Sequence, residues 1–458
     1  MSEIYNKFQS DSDTKAFDLQ HRKTVSFNIG KYDSAVIKGK MQYQNLAIAR
    51  RLAALKKHRS IENLENSLKD FEQNFIKRGG KVLWARDAQE ANLFILEILK
   101  NKGVELVVKS KSMVTEELEL DDFLSKQGIE CVETDLGEYI VQISGDKPYH
   151  IVTPVMHKSA KDIAGIFHEK FGLDPESSPQ EITKFVRKTL REKFLHASAG
   201  ITGANFLISS TGTVALTENE GNGVLSASLP RIHIVVAGIE KVIESIADLH
   251  IFWPLLATFG TGQNITAYNT LISGPRQKDE VDGPAEMYVI LMDNGRSRLL
   301  SQIPQRRALS CIRCGACLNG CPIYRNIGGH SYGSVYSGPI GAVITPHLRS
   351  MMHYKHLSYA TSLCGKCTEV CPVNIDLHFQ LLQNRNFSVE NKLSPRIENW
   401  GMRVWKMAML KPRLMNLPGA GMKNFFLKKA FMKSWGKRRD LPVIKPKSFR
   451  QMWKDERK

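Results

Sequence analysis

Two rhythms of apolar residues run along this chain and change over near residue 80. In "NLAIARRLAALKKH" (45–58) and "NLENSLKDFEQNFIKRGG" (63–80) the apolar positions recur every three or four residues. That spacing predicts amphipathic helices, the second stopping at Gly79 and Gly80. Downstream, short runs rich in β-branched residues take over: "KVLWA" (81–85), "GVELVVK" (103–109), "IECVET" (129–134), "EYIVQI" (138–143) and "HIVTPV" (150–155). Helical stretches such as "DAQEANLFILEILKNKG" and "TEELELDDFLSKQG" lie between them. Strand and helix alternating in this way predicts an α/β fold with a mostly parallel sheet covered by helices. The strand pattern continues through "ANFLISSTGTVALTENEGNG" and "RIHIVVAGIEKVI" and ends at "EMYVILMDNG". The α/β domain is therefore expected over 42–295, behind an irregular, polar segment at 1–41. A helix over "RSRLLSQIPQRRAL" leads into a cysteine-bearing region, 296–390, and the rest, 391–458, reads as a basic amphipathic tail.

Composition changes this picture in two places. The chain has 458 residues, enough for more than one domain, and a formal net charge of +18. Most of the excess is carried after Met402, where "RVWKMAMLKPRLMNL" and "FFLKKAFMKSWGKRRDLP" mix Lys and Arg with Trp400, Trp405, Met407, Met409, Phe425, Phe426, Phe431 and Trp435. Short helices of that composition need a surface for their apolar side: the protein's own body, a partner subunit or an anionic membrane face. No nucleic-acid fold signature accompanies the charge, so nucleic acid is not expected as a partner. No apolar run is long enough to span a bilayer and no secretory signal opens the sequence. The expected location is the cytoplasm, with peripheral contact at the inner membrane face as a candidate.

Seven of the eight cysteines fall in two clusters. "CIRCGACLNGCP" (311–322) is C-x2-C-x2-C-x3-C-P, the bacterial ferredoxin run for a [4Fe-4S] cluster, and "TSLCGKCTEVCP" (361–372) repeats it with Thr361 at the first position. Three closely spaced thiolates grip three corners of one cubane, while the fourth cysteine of each run serves the other cluster. By that exchange, cluster one takes Cys311, Cys314, Cys317 and Cys371, and cluster two takes Cys321, Cys364 and Cys367. Cluster two then has three cysteine ligands, as a [4Fe-4S] cluster with an unusual fourth ligand or as [3Fe-4S]. A hydroxyl is a poor ligand for this iron, so Thr361 need not bind. His330, in the long loop between the motifs, is a candidate replacement. Zinc prefers two separated cysteine pairs, which the triplet spacing does not give. Cys131 stands alone and reads as a small buried hydrophobe.

Together, "CIRCGACLNGCPIYRNIGGHSYG", "YSGPIGAVITP" and "SLCGKCTEVCPV", behind an α/β domain containing "KSKSMVTEELEL", "DLGEYIVQI" and "SSTGTVALTENEGNG", closely resemble the LutB/LldF family. These are iron-sulfur subunits of a three-protein bacterial system that oxidises L-lactate to pyruvate. The resemblance implies two [4Fe-4S] clusters, the second with three cysteine ligands. It implies a cysteine-rich, heterodisulfide-reductase-like partner and a smaller partner sharing the α/β domain, which is called LUD and resembles the isomerase and CoA-transferase fold. The implied role is an electron carrier within an oxidoreductase complex, with no catalytic residue identified. The alternative is the cluster subunit of a related glycolate-type complex whose LUD domain itself binds substrate. For such a site the candidates are Ser209, Ser210, Thr211, Gly212, Thr213, Glu218 and Asn219, whose small residues bring backbone N–H groups near an anion. A strand-turn-strand hairpin would use Gly212 equally well. "TFGTGQNIT" and "GPRQKDEVDGP", with Arg276 and Lys278, are candidate neighbours. No G-x-G-x-x-G opens a helix after the first strand, so a dinucleotide fold is not supported.

Overall fold

Six strands, among them the runs at 81–85, 106–109 and 130–133, form a sheet in which every neighbouring pair is parallel. In this computed structural model, residues 3–411, 414, 417, 419–435 and 440–457 are described. The strands are β1 (Lys81–Ala85), β2 (Leu106–Lys109), β3 (Glu130–Glu133), β4 (Ala199–Thr202), β5 (Phe206–Ile208), β6 (Thr213–Glu218), β7 (Ile232–Gly238), β8 (Val242–Ile243), β9 (Tyr268–Ile272) and β10 (Glu286–Met292). The large sheet runs β1-β10-β7-β4-β2-β3, and a smaller one runs β8-β5-β6-β9.

Side chains alternate across a strand, so a strand buried on both faces is apolar along most of its length. In β7, Ile234 and Val236 pack with Ile95 and Leu99 of the helix Ala88–Asn101. Val235 and Ala237 meet Phe71 and Phe75 of the helix Leu64–Lys77 on the opposite side. The small sheet alternates likewise: Leu207 joins that second layer, whereas Phe206 and Ile208 face a third core that contains Cys314, Cys317, Cys321, Cys367 and Cys371. The α/β domain and the cysteine region thus share apolar packing, and Met1–Phe387 forms one compact unit.

Three expectations are corrected. The first forty residues are not irregular: they form α1 (Glu3–Phe17) and α2 (Leu19–Lys40), with Asp18 capping α2 by accepting from the His21 N–H at 3.0 Å. Only His21, Val25, Ile29 and Gly39 of α2 are buried, too sparse a stripe to register as a pattern. Gly39 crosses the helix Leu249–Thr261 so closely that a Cβ there would lie 2.4 Å from the Gly262 carbonyl oxygen. "EYIVQI" lies in a helix, Leu136–Ser144, started by Asp135 accepting from the Glu138 N–H and stopped by Gly145 at φ +63°. "HIVTPV" forms no strand, because the His150 ring accepts from the Val152 and Thr153 N–H groups and Tyr149 N–H bonds the Pro154 carbonyl.

His233, on β7, is fully buried, with Nε2 2.8 Å from the Thr202 hydroxyl. Burial pushes its pKa down to about 3, so it is neutral when folded. The unfolded chain takes up this proton below about pH 6.5. The contribution is therefore fully present above that pH and lost as pH falls towards 3. His21, pushed to about 4 by burial, acts in the same direction. The thermal midpoint is expected to fall between pH 6.5 and 4, and His233→Gln to flatten the slope; an unchanged slope would exclude His233 as a contributor.

Ser388–Lys458 forms a second unit with helices Arg396–Leu410, Ala420–Trp435 and Phe449–Glu456. Trp400, Trp405, Met407, Met409, Phe425 and Phe426 are exposed, and the side chains of Phe431 and Trp435 lie outside the described residues. Among the described residues, no helix is long and apolar enough to cross a membrane.

Candidate iron-sulfur centre and adjoining cavity

The two cysteine motifs build the same backbone twice. Arg313 and Gly315 in the first, and Leu363 and Gly365 in the second, all have positive φ (61°, 78°, 54° and 78°). This double left-handed kink turns successive backbone groups inward around one point. At the start of the first motif the Arg313 N–H points to Cys311 Sγ at 3.4 Å; in the second the Leu363 N–H points to Thr361 Oγ1 at 3.0 Å. Thr361 thus occupies the geometric position of Cys311, with its oxygen engaged by the backbone.

Cys311, Cys314, Cys317 and Cys371 line one small apolar cavity whose other walls include Ile151, Ile312, Ile340 and Val373. Four thiols facing one apolar space, without a disulfide among them, fit a thiolate-ligated cluster. Burial pushes the Cys314, Cys317 and Cys371 thiols up, Cys371 to about 12, and the neighbouring Cys311 adds to the effect. Iron binding must displace these protons, so it is linked to pH and to folding. Cys321 and Cys367 are buried, and burial pushes both thiols up, with Cys364 adding to each and Cys321 to Cys367; Cys364 is exposed and its thiol is lowered by the Lys366 N–H. Arg50, on the helix Leu46–Glu62, holds the second motif in place by donating to the Cys371 carbonyl at 2.7 Å and the Glu369 carbonyl at 2.7 Å. His330 does not line the cysteine cavity: its Nε2 is 2.7 Å from the Lys147 carbonyl and its ring packs on His157. Cys131 is half-buried on β3, its thiol 3.5 Å from Asp121.

A second cavity, about 380 Å³, opens on the other side of Cys314. It lies at the carboxyl ends of the parallel strands, where ligands of open α/β sheets bind. Ser110, Lys111 and Ser112 follow β2, Gly203 to Asn205 follow β4, and Lys241 lies just beyond β7. Gly260, Thr261 and Thr266 of "TFGTGQNIT" contribute, and Arg313 and Tyr336 close the wall from the cysteine region.

The loop candidates divide between two places. Glu218 and Asn219 line this cavity, Glu218 accepting from the Gly223 and Val224 N–H groups at 2.7 and 2.8 Å. Ser209 to Thr213 instead span the turn between the antiparallel strands β5 and β6, away from the cavity. Gly212 has φ +61° and presses on the Phe75 backbone, and Thr211 donates to Thr213, which bonds Ser273. Arg276 donates to the Val281 carbonyl within its own loop, and neither it nor Lys278 lines the cavity.

Behind Cys311 lies a buried charge network that spacing did not reveal. Arg296 bonds Glu117 twice, at 2.9 Å each, and donates through Nε to Glu240 at 2.5 Å. Glu240 also accepts from Arg313 at 3.2 Å, and Tyr336 donates to Glu117 at 2.7 Å. Burial alone would raise the Glu240 carboxyl, but Arg296, Arg313 and Lys241 hold it down at about 2. Lys57 is buried beside this group, donating to the Glu240 and Val242 carbonyls, and burial lowers its pKa to about 7. One signal was available: Arg313, set between two cysteines of a metal-binding loop, is a costly residue to bury without a carboxylate partner.

A LUD domain family model matches residues 68–292, and a 4Fe-4S dicluster domain model matches 307–375. Proteins named lactate utilization protein B, from Bacillus cereus (strain AH820) and Bacillus thuringiensis (strain Al Hakam), are each 43% identical to this chain over 410 residues, covering 87% of it and 86% of the relative. A crystal structure of a DUF162 family protein from Deinococcus radiodurans aligns over 50% of this chain and 98% of its own at 17% identity, with a TM-score of 0.26, too low to carry an argument.

Proposed function

This chain belongs to the lactate utilization protein B family, and from that premise we propose that it is the electron-transfer subunit of a complex oxidising L-lactate to pyruvate. The observation that carries the reading is the pair of cysteine groups: one in a small cavity against the LUD domain, the other ending at the exposed Cys364. Removing two electrons and two protons from lactate gives pyruvate, and iron-sulfur clusters accept electrons one at a time. Cys311, Cys314, Cys317 and Cys371 would hold cluster one, and Cys321, Cys364 and Cys367 would hold cluster two, a [4Fe-4S] cluster with three cysteine ligands. The apolar wall of Ile151, Ile312, Ile340 and Val373 keeps water from the first group. The exposure of Cys364 gives electrons a way out to a partner.

We assign two partners, a cysteine-rich heterodisulfide-reductase-like subunit and a smaller LUD-domain subunit. Exposed Trp400 and Trp405 among basic residues give the tail an amphipathic face for one of them or for the inner face of the membrane.

The test is an electron paramagnetic resonance spectrum of the anaerobically purified native complex before and after L-lactate. Lactate is expected to produce reduced-cluster signals. Signals raised by dithionite but not by lactate would overturn lactate as the donor. A [3Fe-4S] signal in the oxidised sample would overturn the complete cubane at the Thr361 site.

A further inference from the structure

The cavity beside Cys314 is lined by two cations that have donor groups without an acceptor. Lys241 is 7% exposed and lines the cavity, and its ammonium has no hydrogen-bond or ion-pair partner among the described residues. Arg313 commits Nη2 to Glu240 at 3.2 Å, but its buried Nη1 has no acceptor among the described residues. The guanidinium is held 4.5 Å over the Tyr336 ring, which fixes its direction. Glu240 cannot balance both groups, since it is already bonded to Arg296. A buried cation without a counter-charge is costly, and so is a buried donor without an acceptor.

The carboxylates across the cavity form no ion pair with either cation among the described residues, and each accepts from backbone instead. Asp135 caps the helix Leu136–Ser144, accepting from the Glu138 N–H at 3.1 Å. Glu218 accepts from Gly223 and Val224, and Glu220 accepts from the Leu136 N–H at 3.0 Å. Lys111 is likewise occupied, donating to the Val152 carbonyl. The cavity is therefore cationic on the Cys314 side and acidic opposite. This division suits a small monoanion, since the acidic wall repels a second negative charge.

We propose that this cavity binds the carboxylate of a small 2-hydroxy or 2-oxo acid, with Lys241 Nζ and Arg313 Nη1 as its ionic contacts. The planar guanidinium fork suits a carboxylate, and the Ser110 hydroxyl and the Asn205 side-chain N–H groups line the cavity within reach of the oxygen on the second carbon. The choice of acid rests on the lactate-utilisation reading above; the anion site itself rests on the two unmatched cations. Cys314 shares the wall, so the bound acid lies against the cluster-one pocket.

The test is isothermal titration of the anaerobically reconstituted full chain, with iron content measured, against L-lactate, pyruvate and inorganic phosphate. Saturable binding of lactate or pyruvate is expected. Lys241→Met should weaken it at least tenfold at unchanged iron content, Lys241→Arg should retain most of it, and Lys278→Met, in an exposed loop, should leave it unaltered. A second measurement needs no variant: the carbon-13 carboxylate line of pyruvate should broaden when the clusters are reduced with dithionite, and sharpen again with excess unlabelled pyruvate. Overturning results are no saturable binding of either acid, binding of phosphate alone, or equal binding by Lys241→Met. A null result here leaves lactate-driven cluster reduction in the assembled complex standing, and would assign the two cations to charge compensation of the cluster.

Discussion

Replacing Cys371 with alanine is expected to empty cluster one, although Cys371 belongs to the second motif. Cys371 lines the small apolar cavity with Cys311, Cys314 and Cys317, while Cys364 and Cys367 do not. Iron is expected to fall from about eight to about four atoms per chain, one cubane's worth. The signals that survive should be those of the cluster on Cys321, Cys364 and Cys367. Cys364→Ala is the matched comparison and should remove the complementary set. If both variants lose the same signals, each motif holds its own cluster and the exchange of ligands is wrong. The two losses should also differ in consequence. Cys371 sits in the core that includes Ile340, Val343, Leu357 and Leu381, so an empty pocket there leaves several apolar groups without packing partners. Cys364 is exposed, and its loss leaves the core intact. Iron content, paramagnetic resonance and thermal midpoint measured on the same anaerobic samples separate the two.

The strands of the large sheet were legible because a central parallel strand is apolar on both faces. β7 and β10 show this in their continuous "IHIVV" and "MYVILM". The same rule failed at "EYIVQI", since a run of six does not distinguish a buried strand from one turn and a half of helix. The distinguishing marks were outside the run, at the capping Asp135 and the terminal Gly145. α1 and α2 were illegible for a different reason: they lie on the surface of the unit and bury few side chains, so their sequence keeps no strong period. At the site, the cysteines were readable because cluster ligation constrains spacing along the chain. The cavity constrains none. Ser110, Asn205, Glu218, Lys241 and Arg313 come together only through the order of strands in the sheet. In the 209–219 stretch, spacing could not show that a hairpin carries Ser210 and Thr213 to one end of β6 and Glu218 to the other.

The largest loss of stability is expected from Glu240→Ala. Glu240 is 1% exposed and is shared by Arg296, itself fully buried, and Arg313. Removing it leaves buried guanidinium charge without a partner, which costs about 3–5 kcal/mol. Glu65→Ala, which breaks a solvent-screened surface pair with Lys69, is the control and should shift the midpoint little. Both are read as shifts in denaturation midpoint of the anaerobic protein, and similar shifts would mean that the network contributes no more than a surface pair. The size of the effect follows from position. Glu117 and Glu240 come from the α/β part of the chain, Arg296, Arg313 and Tyr336 from the part that carries the cysteines, and their bonds cross between them. Replacing the whole set by apolar residues of equal volume would remove the charges without orphaning any, and so would cost far less than the single change. Such a variant would also remove the Arg313 guanidinium that faces the cavity. A protein of near-normal stability that no longer binds a small carboxylate would therefore separate what this network does for the fold from what it does for the cavity.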